Sequence, residues 1–238
     1  MTSPVGARLA KRAMDVAGSV IGLAAGAPVF ACVALAVRLD GPGPIFFRQW
    51  RVGRHGELFR IHKFRTMIVR HAGEGAAITA ATDPRITRVG RWLRRSKLDE
   101  LPQLWDVLRG KMSLVGPRPE VPQYVALYPP DDARVVLSVR PGMTDPVSLL
   151  LRDEQSLLAS APSPEWYYET VLLPAKLLIS RRYVQSRSLA SDVRVIFLTL
   201  RALAGRPTVI TAWGHAEDFA PPAPSPATAG PSPRQASP

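Results

Sequence analysis

Two adjacent carboxylates, Asp99 and Glu100, directly follow a cationic stretch near the middle of the chain. Residues 91–97 carry three arginines and one lysine, which together attract an anion. A carboxylate pair repels the same anion unless one carboxylate attacks it or the pair shares a metal ion with it. The combination predicts phosphoryl chemistry at this position.

Two further basic motifs suit phosphate binding. Lys63 and Arg65 alternate along a predicted strand and therefore project from one face, although an isolated pair of this kind is also typical of a solvated strand end. Arg118 lies between Pro117 and Pro119, which fix the backbone on either side and preorganise the guanidinium for a phosphate or a base edge. Taken alone, that motif more often forms a turn with an exposed arginine.

The hydrophobic pattern places these groups on a hairpin followed by helices. Strands are predicted over residues 45–52 and 57–66 around a turn at 53–56, and a helix over residues 86–95. The buried face of this helix is predicted to consist of Val89, Trp92 and Leu93. The strong basic stripe on its other side leads directly into the carboxylate pair.

The next helix is predicted over residues 100–109, with Asp99 as its N-cap and Gly110 just beyond its end. A capping aspartate has a purely structural role. A helix start is also where amide dipoles favour a bound phosphate, so the two interpretations are compatible and both stay open.

An uncharged apolar run at positions 16–37 is long enough to cross a bilayer once. Pro28 in its interior removes a helical hydrogen bond and predicts a kink. Basic residues flank both ends, which suits a hairpin whose ends both stay on the cytoplasmic face. From this run alone, a bent re-entrant helix and a spanning helix are equally supported. A later helix over residues 165–184 is predicted to lie at a membrane interface or in the core, and a capped helix with one apolar face is predicted over residues 191–204, with Gly205 at its end.

The whole chain is basic, with 31 Lys and Arg against 19 Asp and Glu and a formal net charge of +12. This balance predicts an anionic partner, which would be a phosphorylated substrate, an anionic membrane or a nucleic acid. The single cysteine, Cys32, excludes a disulfide framework and a cysteine-based zinc site. A membrane-attached nucleic-acid-binding protein and a scaffold protein are the competing classes. The acidic pair within the basic region and the few aromatic residues beside it argue against the first.

Several motifs together, in one order, resemble the bacterial sugar transferase family, the monotopic phosphoglycosyl transferases that load a sugar phosphate onto undecaprenyl phosphate. The first match is Lys11, Arg12 and Asp15 before the apolar run. The others are residues 41–44 (Gly-Pro-Gly-Pro), 47–49 (Phe-Arg-Gln), 63–67 (Lys-Phe-Arg-Thr-Met), 83–90 (Asp-Pro-Arg-Ile-Thr-Arg-Val-Gly), 98–104 (Leu-Asp-Glu-Leu-Pro-Gln-Leu) and 113–119 (Ser-Leu-Val-Gly-Pro-Arg-Pro). The resemblance covers about residues 8–200.

The resemblance implies a re-entrant membrane helix broken at Pro28, although Ala27 stands where members often have a serine. It implies that Asp99 attacks the β-phosphate of a UDP-sugar, that UMP leaves, and that undecaprenyl phosphate then attacks the phosphosugar-aspartyl enzyme. Glu100 would help to hold Mg2+, a hard cation that prefers oxygen ligands. The product would initiate exopolysaccharide, O-antigen or glycoprotein glycan assembly.

With this chemistry, we assign substrate phosphate or nucleotide contacts to a basic set and its flanking prolines: Lys63, Arg65, Arg94, Arg95, Pro117, Arg118 and Pro119. Residues 140–154 depart from the Gly-Ile-Thr-Gly continuation common in members that transfer hexoses, so the sequence does not identify the sugar.

We therefore predict a mainly helical α+β fold, with one cytoplasmic-facing domain, a short β-hairpin and an N-terminal re-entrant membrane helix. Residues 1–40 form the basic segment and membrane helix, residues 41–205 the catalytic domain with interfacial helices, and residues 206–238 a Pro/Ala/Ser-rich disordered tail. The predicted partners are a UDP-sugar, undecaprenyl phosphate, membrane lipid and a second copy of the chain, but no nucleic acid. The predicted location is the cytoplasmic face of the bacterial inner membrane.

Overall fold

The computed structural model describes residues 5–68, 83–151, 154–208, 212–215 and 219. Within them the chain is mainly helical, with four short strands. The helices are α1 (Val5–Leu39), α2 (Arg88–Ser96), α3 (Gln103–Leu108), α4 (Pro122–Val125), α5 (Pro130–Val136), α6 (Pro146–Leu150), α7 (Glu154–Ser160), α8 (Pro164–Tyr167), α9 (Leu173–Ser186) and α10 (Leu189–Leu203). The mainly helical α+β class predicted from the sequence is confirmed.

The strands form two separate pairs. Strand β1 (Phe46–Val52) pairs antiparallel with β2 (Leu58–Phe64), as the sequence predicts, around a turn that contains His55 at φ 57°. Strands β3 (Ser113–Val115) and β4 (Gly142–Thr144) form a short parallel pair. This second pair was not predicted from the sequence, because a three-residue strand is too short to show alternation and its partner lies far along the chain.

The first half of α1 is fixed to α3 and β3. Arg12 donates two 2.8 Å hydrogen bonds to the carbonyls of Val107 and Leu108, at the end of α3 where helical carbonyls lack partners. Asp15 accepts 3.0 Å hydrogen bonds from the Ser113 hydroxyl and the Leu114 amide. The Lys-Arg and Asp motif before the apolar run thus anchors the helix to the domain.

The second half of α1 is fixed to the β1–β2 hairpin and to α2. Val33 and Val37 pack in a small core with Phe64 and Leu93. The Arg65 guanidinium binds three carbonyls where α1 ends, those of Val37 (2.7 Å), Gly41 (2.6 Å) and Pro42. Both halves of α1 therefore contact the same domain.

The largest core lies among the later helices and includes Tyr168, Leu172, Ile179 and Tyr183. The predicted helix over residues 165–184 is present as α8, a π-helical turn (Tyr168–Leu172) and α9. Pro174 explains the turn, because it has no N–H for the regular helical hydrogen bond.

The predicted tail at residues 206–238 is described only in part. Trp213 and Phe219 are buried in the largest core, whereas residues 220–238 lie outside the described residues. The domain boundaries stay predictions.

Candidate active site

A left-handed residue between two helical segments positions the carboxylate pair. Helix α2 ends at Ser96, and Lys97 adopts φ 58° while its N–H donates to the Arg94 carbonyl. The chain then enters a 3-10 turn, Leu98–Glu100, instead of starting a helix. The predicted helix start was therefore wrong: α3 begins at Gln103, and its N-cap position is Pro102. Asp99 is not a helix cap, so the structural role considered from the sequence does not apply.

The predicted buried face of α2 is also partly wrong. Leu93 is fully buried, but Trp92 is 56% exposed. The buried residues of this nine-residue helix are Gly90 and Leu93, so the domain covers one narrow side of it and Trp92 lies outside that side.

Glu100 is held between two cations. Its Oε1 lies 2.7 Å from Lys63 Nζ and 2.5 Å from Arg118 Nη2, and Arg118 Nη1 lies 3.3 Å from Oε2. Burial alone would raise the pKa of Glu100, but Arg118 and Lys63 outweigh it and hold the pKa well below its usual range. Glu100 is therefore ionised at neutral pH and positions both cations.

Asp99 is buried without a comparable partner. Its side chain is among the buried polar groups, and Oδ1 accepts no hydrogen bond from any residue that the structure describes. Burial raises the pKa of Asp99, and the neighbouring Glu100 charge raises it further, while Lys63, Lys97 and Arg94 oppose the shift. An unpartnered buried acceptor costs about 1–3 kcal/mol, which indicates that a ligand or a reaction uses this oxygen.

Arg118 is fixed by its backbone as well as its side chain. The Arg118 amide donates to Asp145 Oδ2 at 2.9 Å, and the same carboxylate caps α6 through Ser148. Pro117 and Pro119 are both buried, and the Pro117 carbonyl accepts a 2.9 Å hydrogen bond from Gly142. The Pro-Arg-Pro segment is thus a rigid support that aims Arg118 at Glu100.

The remaining predicted site residues divide into two groups. Arg94 donates to the Thr66 hydroxyl at 3.0 Å, and its Nη1 is buried with no partner among the described residues. Arg95 is exposed and lines the rim of the cavity that contains Asp99. Arg65 instead binds the backbone at the end of α1, which places its guanidinium in a structural contact away from Glu100.

These groups line one open cavity of about 2330 Å³. Its wall also includes Arg51, Glu120, Tyr168 and Lys176, which the sequence analysis did not assign to the site. For Glu120, the only sequence feature that pointed to the site was its position directly after the Pro-Arg-Pro segment. The other three lie in unrelated segments that only the fold brings together.

The sequence profile of the bacterial sugar transferase family matches residues 6–206. The chain is 38% identical over 206 residues to an undecaprenyl-phosphate glucose phosphotransferase of Komagataeibacter xylinus, a match that covers 81% of this chain and 35% of that protein. It is 38% identical over 207 residues to a UDP-glucose:undecaprenyl-phosphate glucose-1-phosphate transferase of Caulobacter vibrioides, covering 82% of this chain and 70% of that protein. It is also 37% identical over 198 residues to an exopolysaccharide production protein of Rhizobium leguminosarum, covering 80% and 92%.

The chain thus spans about a third of the first of these relatives and most of the other two. The family match runs from the N-terminal helix to the end of α10 and includes the whole cavity wall described above. The resemblance seen in the sequence motifs is confirmed: the chain belongs to the bacterial sugar transferase family.

Proposed function

We propose that this chain transfers a sugar 1-phosphate from a UDP-sugar to undecaprenyl phosphate, with Asp99 as the nucleophile. The observation that carries the proposal is the buried Asp99 oxygen without a partner, next to cations that can hold a diphosphate. The names of the Komagataeibacter and Caulobacter relatives state this kind of reaction for those proteins. The Rhizobium relative's name supports exopolysaccharide assembly as the pathway.

In the first step, an Asp99 oxygen attacks the β-phosphorus of the donor and the bond from phosphorus to the UMP oxygen breaks. UMP leaves with the electron pair, and a phosphosugar-aspartyl enzyme remains. In the second step, a phosphate oxygen of undecaprenyl phosphate attacks the same phosphorus, and the bond to Asp99 breaks to restore the carboxylate. Lys63, Arg94 and Arg118 stabilise the negative charge on the transferred group in both steps.

We propose Mg2+ as the cofactor, bound through the carboxylate pair. Among the described residues, no group of three or more acidic, histidine or cysteine side chains converges on a metal position. Within the part of the chain that the structure describes, Asp99 Oδ1 has no partner and Glu100 Oε2 has only the 3.3 Å contact to Arg118, so these oxygens can still serve as ligands. Two carboxylates with the donor phosphates form the kind of ligand set that Mg2+ favours. When bound, the ion would neutralise charge on the diphosphate.

We propose that α1 is a re-entrant membrane helix whose two ends stay at one face. Among the described residues, α1 is the one helix that is long and apolar enough to cross a membrane. Gly22 packs against Leu104, and Phe30 packs against Phe64 with ring centroids 5.6 Å apart. These contacts lie in the middle of α1, and Arg12 and Val37 toward its two ends also contact the domain. Arg12 and Val37 are about 37 Å apart along a helix, so a helix that crossed the roughly 30 Å hydrocarbon core between them would place one of these two contacts on the far side of the membrane.

The location at the cytoplasmic face of the inner membrane follows from this proposal and from where UDP-sugars occur. Pro28 lies inside α1 between the two contacts, on an exposed side of the helix. This position suits a bend within the lipid. A homodimer and the absence of nucleic-acid binding stay predictions.

The proposal is tested by UMP release from detergent-solubilised protein with Mg2+, undecaprenyl phosphate and a panel of UDP-sugars that begins with UDP-glucose. We expect Asp99→Asn and metal chelation each to abolish release, while the matched exposed variant Asp131→Asn retains it. Without undecaprenyl phosphate, a donor labelled in its sugar should label the wild-type protein but not Asp99→Asn. UMP release by Asp99→Asn at the wild-type rate would refute Asp99 as the nucleophile.

A further inference from the structure

A second polar cluster lines the same cavity and is not needed for the phosphoryl transfer described above. Lys176 Nζ lies 2.5 Å from Glu154 Oε1 and 4.0 Å from Glu120 Oε1. The Tyr168 hydroxyl donates to Glu120 Oε1 at 2.6 Å and accepts from Lys176 at 3.4 Å. We call these four residues (Glu120, Glu154, Tyr168 and Lys176) the Lys176 cluster.

The cluster joins three separate segments. Glu120 follows the Pro-Arg-Pro segment, Glu154 begins α7, and Tyr168 begins the π-helical turn before α9. Lys176 lies about two helical turns beyond Tyr168, and its ammonium is 4.5 Å from the centre of the Tyr168 ring. π-turns of this kind are frequent at functional sites.

The cluster adjoins the phosphate-binding part of the cavity through Arg118. Glu120 follows Arg118 by two residues, and both line the same cavity as Glu154 and Lys176. In keeping with this placement, the Glu100 charge raises the pKa of the Arg118 guanidinium, burial lowers it, and Asp145 and Glu154 raise it further. A group covalently attached to a phosphate on Arg118 would lie next to the Lys176 cluster.

The charges of the cluster do not suit a second phosphate, because its two carboxylates would repel one. They do suit hydroxyl groups, since a carboxylate accepts and an ammonium donates hydrogen bonds. The Lys176 side chain is 12% exposed and that of Glu154 is 29% exposed. A largely buried ion pair is a weak source of stability, so a purely structural role does not explain its place on a cavity wall.

We propose that Glu154 and Lys176 bind hydroxyl groups of the donor sugar and select which UDP-sugar is accepted. The inference rests on the proposed function. In a UDP-sugar, the sugar is bonded directly to the β-phosphate that Asp99 would attack, whereas the ribose lies beyond the α-phosphate. The sugar is therefore the polyhydroxyl group nearest to Arg118 and the cluster.

The test compares Glu154→Gln and Lys176→Met with wild type by measuring KM and kcat for a panel of UDP-sugars, together with the inhibition constant of UMP. The matched control is Arg181→Met, which removes another cation of α9 that pairs with a carboxylate, Asp132, outside the cavity. We expect KM for the preferred sugar to rise roughly 10- to 100-fold, the effect of losing a hydrogen bond to a charged group. UMP inhibition should be unchanged, and Arg181→Met should behave as wild type.

The decisive readout is the ratio of kcat/KM between epimeric sugars, which should fall in both cluster variants. Unchanged ratios in folded variants would overturn the inference, and so would an equal loss of UDP-sugar and UMP binding, which would assign the cluster to the nucleotide. If Lys176→Met does not fold, Glu154→Gln carries the test alone. Failure of the wild type to release UMP from any sugar would instead refute the proposed function.

Discussion

Neutralising the two adjacent carboxylates should change stability in opposite directions. Glu100 lies between Lys63 and Arg118, so Glu100→Gln leaves two cations near each other without their shared counter-ion. Removing one partner of a buried pair costs about 3–5 kcal/mol. Because the Arg118 side chain is 36% exposed and thus partly screened by solvent, we expect the smaller loss of about 2–4 kcal/mol.

Asp99→Asn should stabilise the protein. The burial that raises the pKa of Asp99 penalises its charged form, and the variant removes that charge. Stabilising single substitutions commonly contribute about 0.5–2 kcal/mol, and we expect a gain of this size. Both variants should lose UMP release, so activity alone does not separate them.

The assay is thermal unfolding in detergent, for which 1 kcal/mol corresponds to about 2–4 °C in a chain of this size. We expect a Tm decrease of about 4–16 °C for Glu100→Gln and an increase of a few degrees for Asp99→Asn. The control is Glu57→Gln, since Glu57 pairs with Lys111 at 3.6 Å on the exposed surface. That pair should contribute at most about 1 kcal/mol.

The pH dependence gives a second readout. Since the pKa of Glu100 is lowered on folding, its stabilising contribution is present above the unfolded pKa and is lost as pH falls through the folded pKa. The loss of stability of Glu100→Gln relative to wild type should therefore become smaller at acidic pH. The pKa of Asp99 is raised, so stability is lost as pH rises through its folded pKa, and the advantage of Asp99→Asn should grow over that range. Two variants that shift Tm in the same direction would refute this account of the site.

Three further variants test the surrounding framework. Lys63→Met should shift the acid limb of the pH–rate profile for UMP release to higher pH, because Lys63 lowers the pKa of Asp99. An unshifted acid limb would show that Lys63 does not affect the ionisation of Asp99. Arg65→Lys should lower the free energy of unfolding by about 1.5–3 kcal/mol, because a lysine cannot replace the guanidinium contacts to the end of α1; unchanged denaturant unfolding would contradict that role. Gly90→Ala should lower the free energy of unfolding by about 1–3 kcal/mol or more, because a Cβ there would overlap the Thr66 backbone. A wild-type Tm would contradict this and show that α2 can move away from Thr66.

The proposed division of roles between the carboxylates has a physical basis in their partners. Both are largely buried in one 3-10 turn, yet among the described residues cations directly contact the oxygens of Glu100 and not those of Asp99. A carboxylate in two ion pairs is a poor nucleophile, because its lone pairs are already engaged. The adjacent carboxylate, which burial destabilises without full compensation, is the more reactive one.

The sequence by itself predicted the family, the mainly helical class and the β1–β2 hairpin, all of which are confirmed, and it placed the candidate site at Asp99, Glu100 and Arg118. These features depend on local spacing: alternation along a strand, a rigid Pro-Arg-Pro segment, and carboxylates that follow a cationic run. Motifs that are contiguous in sequence stay together in any fold, so linear reasoning finds them.

Only the tertiary structure decided what each of these groups contacts. Lys63 and Arg65 were predicted to alternate on one strand, but β2 ends at Phe64; Lys63 binds Glu100, while Arg65, just beyond the strand, binds the carbonyls at the end of α1. The left-handed conformation of Lys97 places Asp99 in a 3-10 turn, although the sequence around Asp99 predicts the start of a helix. The Lys176 cluster is built from segments that have no local signal in common. Its members meet because burial of the large core and the long-range β3–β4 pairing bring distant segments together. No short stretch of sequence predicts such contacts.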